Sequence, residues 1–172
     1  MKILRLLILS LGFAAALHAK YVPTPEKAMS FAMGNDPTKW VAQFMDGNET
    51  GIIFELVPQG DDINSWKEMV AQQIAFTNAP LSRYVEVWRS GMLRADPKMD
   101  LKIERADDGS VTATYTSLAA QEMSIRRFIK AEDGIYMLAY HVRPALKNES
   151  RLKLWRQIIG AASLIPNPQK GR

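Results

Sequence analysis

The chain has 172 residues, of which 47% are hydrophobic and 23% are charged. This balance is typical of one globular domain with a packed core, and it excludes collagen-like, low-complexity and disordered chains. Basic and acidic residues are interleaved along the sequence, so we expect no nucleic-acid partner, which would need a concentrated basic face. The absence of cysteine excludes disulfide bonds, thiol catalysis and thiolate metal sites.

The start of the chain has the three parts of a secretory signal peptide. A basic beginning is followed by a mostly apolar stretch, residues 6–17, and by small residues up to the expected cleavage site after Ala19, with Ala16 as the alternative. As a helix this stretch would rise only about 18 Å, short of the roughly 30 Å hydrocarbon core of a bilayer. We therefore predict a signal peptide over residues 1–19, a single domain over residues 20–172, a periplasmic or secreted location and no permanent membrane span.

The first elements of the mature chain are predicted as a short helix and a hairpin. Residues 26–33 follow an extended lead-in with two prolines and are predicted to be helical. Residues 40–45 and 52–57 are short β-favouring runs on either side of a segment rich in Asp, Gly and Asn. Because these residue types tolerate the backbone angles of tight turns, the pattern predicts a hairpin.

Two helices are predicted to follow the hairpin. Ser65 with Glu68 three residues later matches a capping box, and apolar residues then recur at helical spacing up to Ile74 before Pro80 interrupts. The second helix is predicted to stop at Pro97. Its apolar stripe consists of Leu81, Tyr84, Val85, Trp88 and Met92.

Period-two alternation predicts a hairpin over residues 101–115. A three-residue loop at residues 107–109 sets apolar side chains opposite one another, whereas a two-residue loop sets them opposite threonines. The longer loop is therefore expected, and it pairs Leu101 with Tyr115, Ile103 with Ala113 and Arg105 with Val111.

A second hairpin is predicted over residues 123–142. A two-residue turn places Arg126 opposite His141, whereas a three-residue loop places it opposite Tyr140, and the pattern leaves both registers open. Residues 135–142 are apolar on both faces, which predicts a central strand covered on both sides.

A closing helix is predicted with Ser150 as its cap. Its buried side chains are expected to be Leu152, Trp155, Ile159 and Ala162. The fold class is thus α+β, with a mainly antiparallel sheet of about six strands flanked by helices.

The order of these elements resembles that of the small exported Mog1/PsbP-like proteins. The shared order is a strand pair, a strand ended by proline, a capped helix with a leading tryptophan, antiparallel strands and a terminal helix ending in Ser163 and Leu164. The resemblance covers most of the mature chain. It implies an α/β/α sandwich used in accessory or binding roles, and it transfers no functional residue.

Few catalytic chemistries are compatible with the mature sequence. Removing the leader takes two basic residues and His18 with it, which leaves a net charge of +2 and His141 as the only histidine. No serine lies in a Gly-x-Ser-x-Gly elbow, so a hydrolase would have to be built on His141 alone. One histidine without cysteine is a poor zinc set. We predict no cofactor.

Three acidic pairs fall in predicted turns, where aspartate side chains bond to the local backbone. This structural role is sufficient to explain them, and we predict no metal site. The pairs are Asp61 with Asp62, Asp107 with Asp108, and Glu132 with Asp133.

Arg127 shares its side of the strand with Met123, Ile125 and Ile129, which places a guanidinium on an apolar face. Such a group needs a partner, either Glu55 in an internal ion pair or the carboxylate or phosphate of a ligand. Trp40 is expected to be partly exposed. The candidate ligand-binding residues are Arg127, His141, Arg126, Tyr140, Glu55 and Trp40.

The sequence favours an exported, non-catalytic accessory protein that binds a protein partner or a small ligand. The alternatives are a secreted or periplasmic hydrolase using His141 and a structural component of the cell envelope.

Overall fold

The computed structural model describes residues 22–34, 36–107, 109–168 and 170. The predicted signal peptide and Asp108 therefore lie outside the described residues. Within them the chain forms nine strands and two helices. The strands are β1 (Lys27–Ser30), β2 (Trp40–Asn48), β3 (Gly51–Pro58), β4 (Glu68–Ala75), β5 (Asp100–Ala106), β6 (Ser110–Ser117), β7 (Glu122–Lys130), β8 (Ile135–Val142) and β9 (Ser163–Pro166), and the helices are α1 (Leu81–Ala95) and α2 (Glu149–Ala161).

Seven strands form one antiparallel sheet in the order β2-β3-β4-β8-β7-β6-β5, and β1 pairs with β9 in a separate two-stranded ribbon. The large sheet combines two meanders, β2 to β4 and β5 to β8, which are joined by the pairing of β4 with β8. Helix α1 connects the end of the first meander to the start of the second. The α+β class and the mainly antiparallel sheet are thus confirmed.

The two helices cover opposite faces of this sheet. Leu81 and Val85 of α1 pack against Met137 and Ala139 of β8, on what we name the α1 face. Helix α2 packs with Leu138, Tyr140 and Val142, the alternate residues of the same strand, on the α2 face. All eight residues of β8 are buried, so the prediction of a central strand covered on both sides is confirmed. Neither helix in the described part of the chain has the length and apolarity needed to cross a membrane.

The two helices predicted before α1 are wrong, because both segments form strands. The segment predicted as the first helix contains β1, which pairs with β9. The segment predicted to be capped by Ser65 contains β4, which lies between β3 and β8. The Ser65 amide donates to the Asp62 carbonyl in a turn, and the Glu68 carboxylate binds Arg151 instead of capping. A strand covered on both faces buries adjacent residues, here Met69, Val70 and Ala71. Two of these, Met69 and Val70, also fit helical spacing with Trp66 and Ile74, which is why the sequence pattern predicts a helix.

The predicted hairpins form, but their registers are only partly as expected. The first hairpin is confirmed, with longer strands. In the second, Leu101 faces Tyr115 and Ile103 faces Ala113 as predicted. A β-bulge after Ile103 then shifts Arg105 to Thr112, so the pairing predicted with Val111 is wrong.

Both registers considered for β7 and β8 are wrong, because Arg126 faces Ala139. Lys130 pairs with Ile135, which leaves a four-residue loop. Within that loop the Ala131 amide donates to the Gly134 carbonyl. The loop is positioned by a tertiary contact, because the backbone at Gly134 lies against that of Ala75 with no room for a side chain.

Helices α1 and α2 are confirmed with small corrections at their ends. α1 carries the predicted stripe and ends before Asp96. The cap of α2 is Asn148, whose side chain accepts from the Arg151 amide, and not Ser150. After α2 the chain continues as β9. All four side chains predicted to be buried by α2 are buried, namely Leu152, Trp155, Ile159 and Ala162.

Candidate functional site

Polar residues alternate along β7 and place a group of charged and hydroxyl side chains under α1. Side chains two residues apart on a strand share a face, so Glu122, Ser124 and Arg126 all point to the α1 face. Their neighbours in the sheet add Tyr115 from β6 and His141 from β8. We name these five residues the buried polar cluster, since each is less than one tenth exposed.

A chain of hydrogen bonds joins the members of the buried polar cluster. His141 Nδ1 lies 2.7 Å from Glu122 Oε1, and the Tyr115 hydroxyl donates to the same oxygen. Arg126 Nη2 donates to the Tyr115 hydroxyl at 2.9 Å and more weakly to Ser124 Oγ at 3.4 Å. The carboxylate of Glu122 is therefore shared between two donors, one of which also contacts the guanidinium.

Aromatic rings complete the surroundings of the cluster. The Arg126 guanidinium lies 4.8 Å from the ring centroids of both Trp88 and Tyr115. The rings of Trp66 and His141 pack edge to face with 6.3 Å between their centroids. The Arg143 guanidinium lies over Trp66, 4.1 Å from the centroid of its ring. Such contacts stabilise a cation that is removed from water.

The cluster holds its acid and its phenol in opposite protonation states. Burial alone would raise the pKa of Glu122, but the charge and hydrogen bond of His141, the Tyr115 hydroxyl and Arg126 outweigh it and lower that pKa to about 2. Burial raises the pKa of Tyr115, and the nearby Glu122 carboxylate adds to the increase. Glu122 is thus an anion and Tyr115 a neutral donor across the ordinary pH range.

The arrangement is poorly suited to nucleophilic catalysis. Ser124 lies directly opposite His141 in the β7–β8 pair and Glu122 orients the imidazole, so the residue types of a triad are present. However, Ser124 is 1% exposed and His141 is 5% exposed, and within the described residues the imidazole is hydrogen bonded to Glu122 and not to the serine. A substrate carbonyl has no access to this serine.

Arg127 lies on the α2 face, where it has a structural partner. Its guanidinium donates to the carbonyl of Gly160 at the C-terminal end of α2 and to Ser110 Oγ at 3.1 Å. Glu55 lies on the α1 face, because it is in one row of the sheet with Ala71, Ala139 and Arg126. The predicted ion pair between Glu55 and Arg127 is therefore wrong, since the sheet separates the two side chains.

Tyr140 and Trp40 belong to the core of the α2 face. Tyr140 stacks on Trp155 with 4.7 Å between the ring centroids. Trp40 packs edge to face on the same indole, with 5.5 Å between the centroids. Trp40 is half-buried, as predicted, and its Nε1 donates to Asp36. Burial and the Glu68 carboxylate raise the pKa of Tyr140. The six candidate residues thus do not form one site. Arg126 and His141 share the buried polar cluster, Tyr140 and Trp40 share the core of the α2 face, and Arg127 and Glu55 lie elsewhere.

Arg151 of α2 ties three distant segments together. Its guanidinium contacts Asp36 at 2.7 Å, Glu68 at 2.6 Å and Thr38 at 2.8 Å. Burial would raise the pKa of Asp36, but hydrogen bonds from Arg151, Thr38 and Trp40 outweigh it, so that pKa lies below its usual value. This network was not predicted from the sequence, since its members are far apart in the chain.

The two edge strands of the large sheet differ in how they meet solvent. Four of the seven residues of β5 are charged, and all four form ion pairs with neighbours outside the strand or along it. β2 has a single charged residue, Asp46, and exposes Met45 by 70% and both Val41 and Phe44 by 37%. Charge on an edge strand opposes pairing with another chain, and an apolar edge permits it.

The sequence could have indicated the contrast between the edges, because the four charged residues of β5 and the single one of β2 are visible in it. A bulge at Gln43 divides β2, and the Gln43 side chain is anchored to the Asp61 carbonyl and the Ile63 amide. Beyond the bulge, at residues 44–48, no described strand pairs with the outer side of β2. We name this stretch the β2 edge.

Among the described residues, no three His, Asp or Glu side chains lie close enough to hold a metal ion. Comparison with protein-family models, with curated proteins and with solved structures finds no match to this chain.

Proposed function

We propose that the protein is an exported, non-catalytic accessory protein that binds a protein partner by accepting an extended, mainly apolar segment along the β2 edge. The observation that carries this proposal is the contrast between an edge strand with one charged residue, β2, and an edge strand with four, β5, in the same sheet. An added strand bonds through its main chain to the open edge, and pockets for alternate side chains give selectivity. Met45 on one face and Phe44 on the other supply apolar contacts for such a strand.

The leader and the element order belong to this proposal as well. Export follows from the signal peptide predicted in the sequence. An α/β/α sandwich of the Mog1/PsbP-like kind is part of the proposal because one helix packs on each face of the sheet. Accessory and binding roles are what that resemblance implies.

A hydrolase built on His141 and a structural component of the envelope are less well supported. The imidazole is packed under Trp66 and engaged by Glu122, which leaves it without access to a substrate. A purely structural role gives no reason for an apolar edge that is open to solvent.

The proposal is tested with peptides selected by the purified protein from a phage-displayed library. A selected peptide should slow hydrogen exchange of amides in β2, and Met45→Lys should weaken its binding at least tenfold. Ile103→Lys is the control, because Ile103 is an exposed large apolar residue on the other edge strand, β5. This variant should bind as the parent does.

Three results would overturn the proposed binding at the β2 edge. One is protection that falls outside β2, and another is equal loss of binding in both lysine variants. The third is a stable dimer through β2 in sedimentation experiments, which would make a second copy the occupant. Ester hydrolysis that disappears in His141→Gln would overturn the non-catalytic half.

A further inference from the structure

A cleft of about 450 Å³ lies on the α2 face, between the sheet and the chain that leads into β1. Its floor includes Ile52, Phe54 and Ile74, which the strand registers place on one face of β3 and β4. The opposite wall is formed by residues 22–25 and 27–29. The volume is within the range of roughly 300–1,000 Å³ that is typical of small-molecule sites.

The polar side chains of Lys27 and Gln72, both in the lining, have no partner among the described residues. Lys27 is half-buried, and its ammonium makes no hydrogen bond or ion pair with any described residue, while the Gln72 amide is likewise unbonded. Lys27 is the only charged residue among those that line the cleft in the described part of the chain. The nearby carboxylate of Glu26 is engaged by Lys170. Asp133 accepts through Oδ2 from the Tyr136 hydroxyl and the Glu26 amide, and its Oδ1 has no partner among the described residues.

We propose that this cleft binds a small amphiphile with an unbranched apolar chain and a carboxylate head. The apolar floor takes the chain, and the Lys27 ammonium takes the carboxylate, with the Gln72 amide as a second donor. A single point charge suits one carboxylate, whereas a phosphate usually recruits a guanidinium or several donors. The site is independent of the β2 edge, so it does not require the partner proposed above.

The test is calorimetric titration of the purified protein with octanoate, decanoate and dodecanoate below their micelle concentrations. We expect one site, with affinity rising about fourfold for every methylene added, because each buried methylene contributes a similar transfer free energy. Lys27→Gln should weaken decanoate binding at least tenfold and leave decanol binding unchanged. Lys102→Gln, which removes the same charge from the exposed β5 edge, should bind decanoate as the parent does.

A second measurement locates the ligand without relying on a variant. Methyl resonances of Ile52 and Ile74 should shift on addition of decanoate, while that of Ile103, on the opposite face and at the far edge, should stay in place. The proposal is overturned by absence of binding, by several weak sites, by equal affinity for decanoate in the parent and Lys27→Gln, or by shifts confined to other methyl groups.

Discussion

Arg126 places a cation under α1 with 6% of its surface exposed, and its position explains much of the chemistry of the α1 face. Two aromatic rings flank the guanidinium, and Tyr115 links it to the anion of Glu122. Removing one partner of such a group leaves the others buried and uncompensated, which costs more than the pair itself contributes. The buried polar cluster is therefore a structural unit whose members depend on one another.

The pH dependence of stability should reveal the Glu122 anion. Its pKa of about 2 is below the roughly 4.3 of an unfolded chain, so its contribution is present above pH 4.3 and is lost as the pH falls towards 2. Glu122→Gln should lower the free energy of unfolding at pH 7 by about 2–4 kcal/mol and flatten the decline in acid. Urea unfolding at several pH values measures both the free energy of unfolding at pH 7 and its decline in acid. Asp100→Asn, an exposed control, should keep the parent's profile, and an equally steep acid decline in Glu122→Gln would contradict the assignment.

Arg127 and Glu55 should behave as independent residues. Arg127→Met should lower the free energy of unfolding by about 1–2 kcal/mol, because it removes charge-assisted hydrogen bonds to the carbonyls at the end of α2. Glu55→Gln lies on the other face, so the two effects should add within about 0.5 kcal/mol in the double variant. A coupling energy well above that limit, measured by chemical unfolding, would mean that the two side chains interact after all.

At the residue scale the sequence indicated that Arg127 lies on an apolar face and that His141 lies inside a strand. It could not indicate their partners. Gly160 and Ser110 come from a helix end and another strand, and pairing across a sheet depends on registers that local patterns leave open. The polar alternation at Glu122, Ser124 and Arg126 was a usable signal for the cluster.

At the scale of elements, β4 shows why a helical period in a short segment can mislead. Apolar residues at Met69, Val70 and Ile74 fit one helix face, yet they equally suit a strand covered on both sides. Only the neighbours β3 and β8 decide between the two, and they are distant in the sequence. By contrast, α1 was predictable over most of its length, because its apolar stripe runs for three turns and its end is marked by Pro97.

The loop between β7 and β8 gives a second prediction at this scale. Gly134→Ala should destabilise the protein by about 1–3 kcal/mol, because a methyl group there would overlap the carbonyl of Ala75 and push the loop off β4. Gly91→Ala is the matched control, since its site in α1 is open and alanine favours a helix by up to about 1 kcal/mol. Thermal unfolding of both variants measures the effects. A neutral Gly134→Ala would show that the loop is not fixed by this contact.

At the scale of the whole molecule, Arg151 connects the segment before β2, the start of β4 and the helix α2. Arg151→Met should cost about 3–5 kcal/mol, because it leaves the buried carboxylate of Asp36 without its cation. Amides of residues 38–40 should then exchange faster with solvent. Lys147→Met removes an exposed pair with Glu149 and should cost less than about 1 kcal/mol. Unchanged exchange at residues 38–40 would argue against the connection.

The joining of two meanders through β4 and β8 has a consequence for how the chain acquires its structure. Each meander is assembled from neighbouring hairpins, whereas β4 and β8 must meet across an entire helix and three strands. Pairing β4 with β8 has the largest entropic cost of loop closure in this fold. We expect this step to limit the folding rate, because contacts between residues far apart in the sequence slow the folding of two-state proteins. Until this pairing forms, each half presents a bare strand that another copy could complete, so concentrated refolding should yield dimers with exchanged halves.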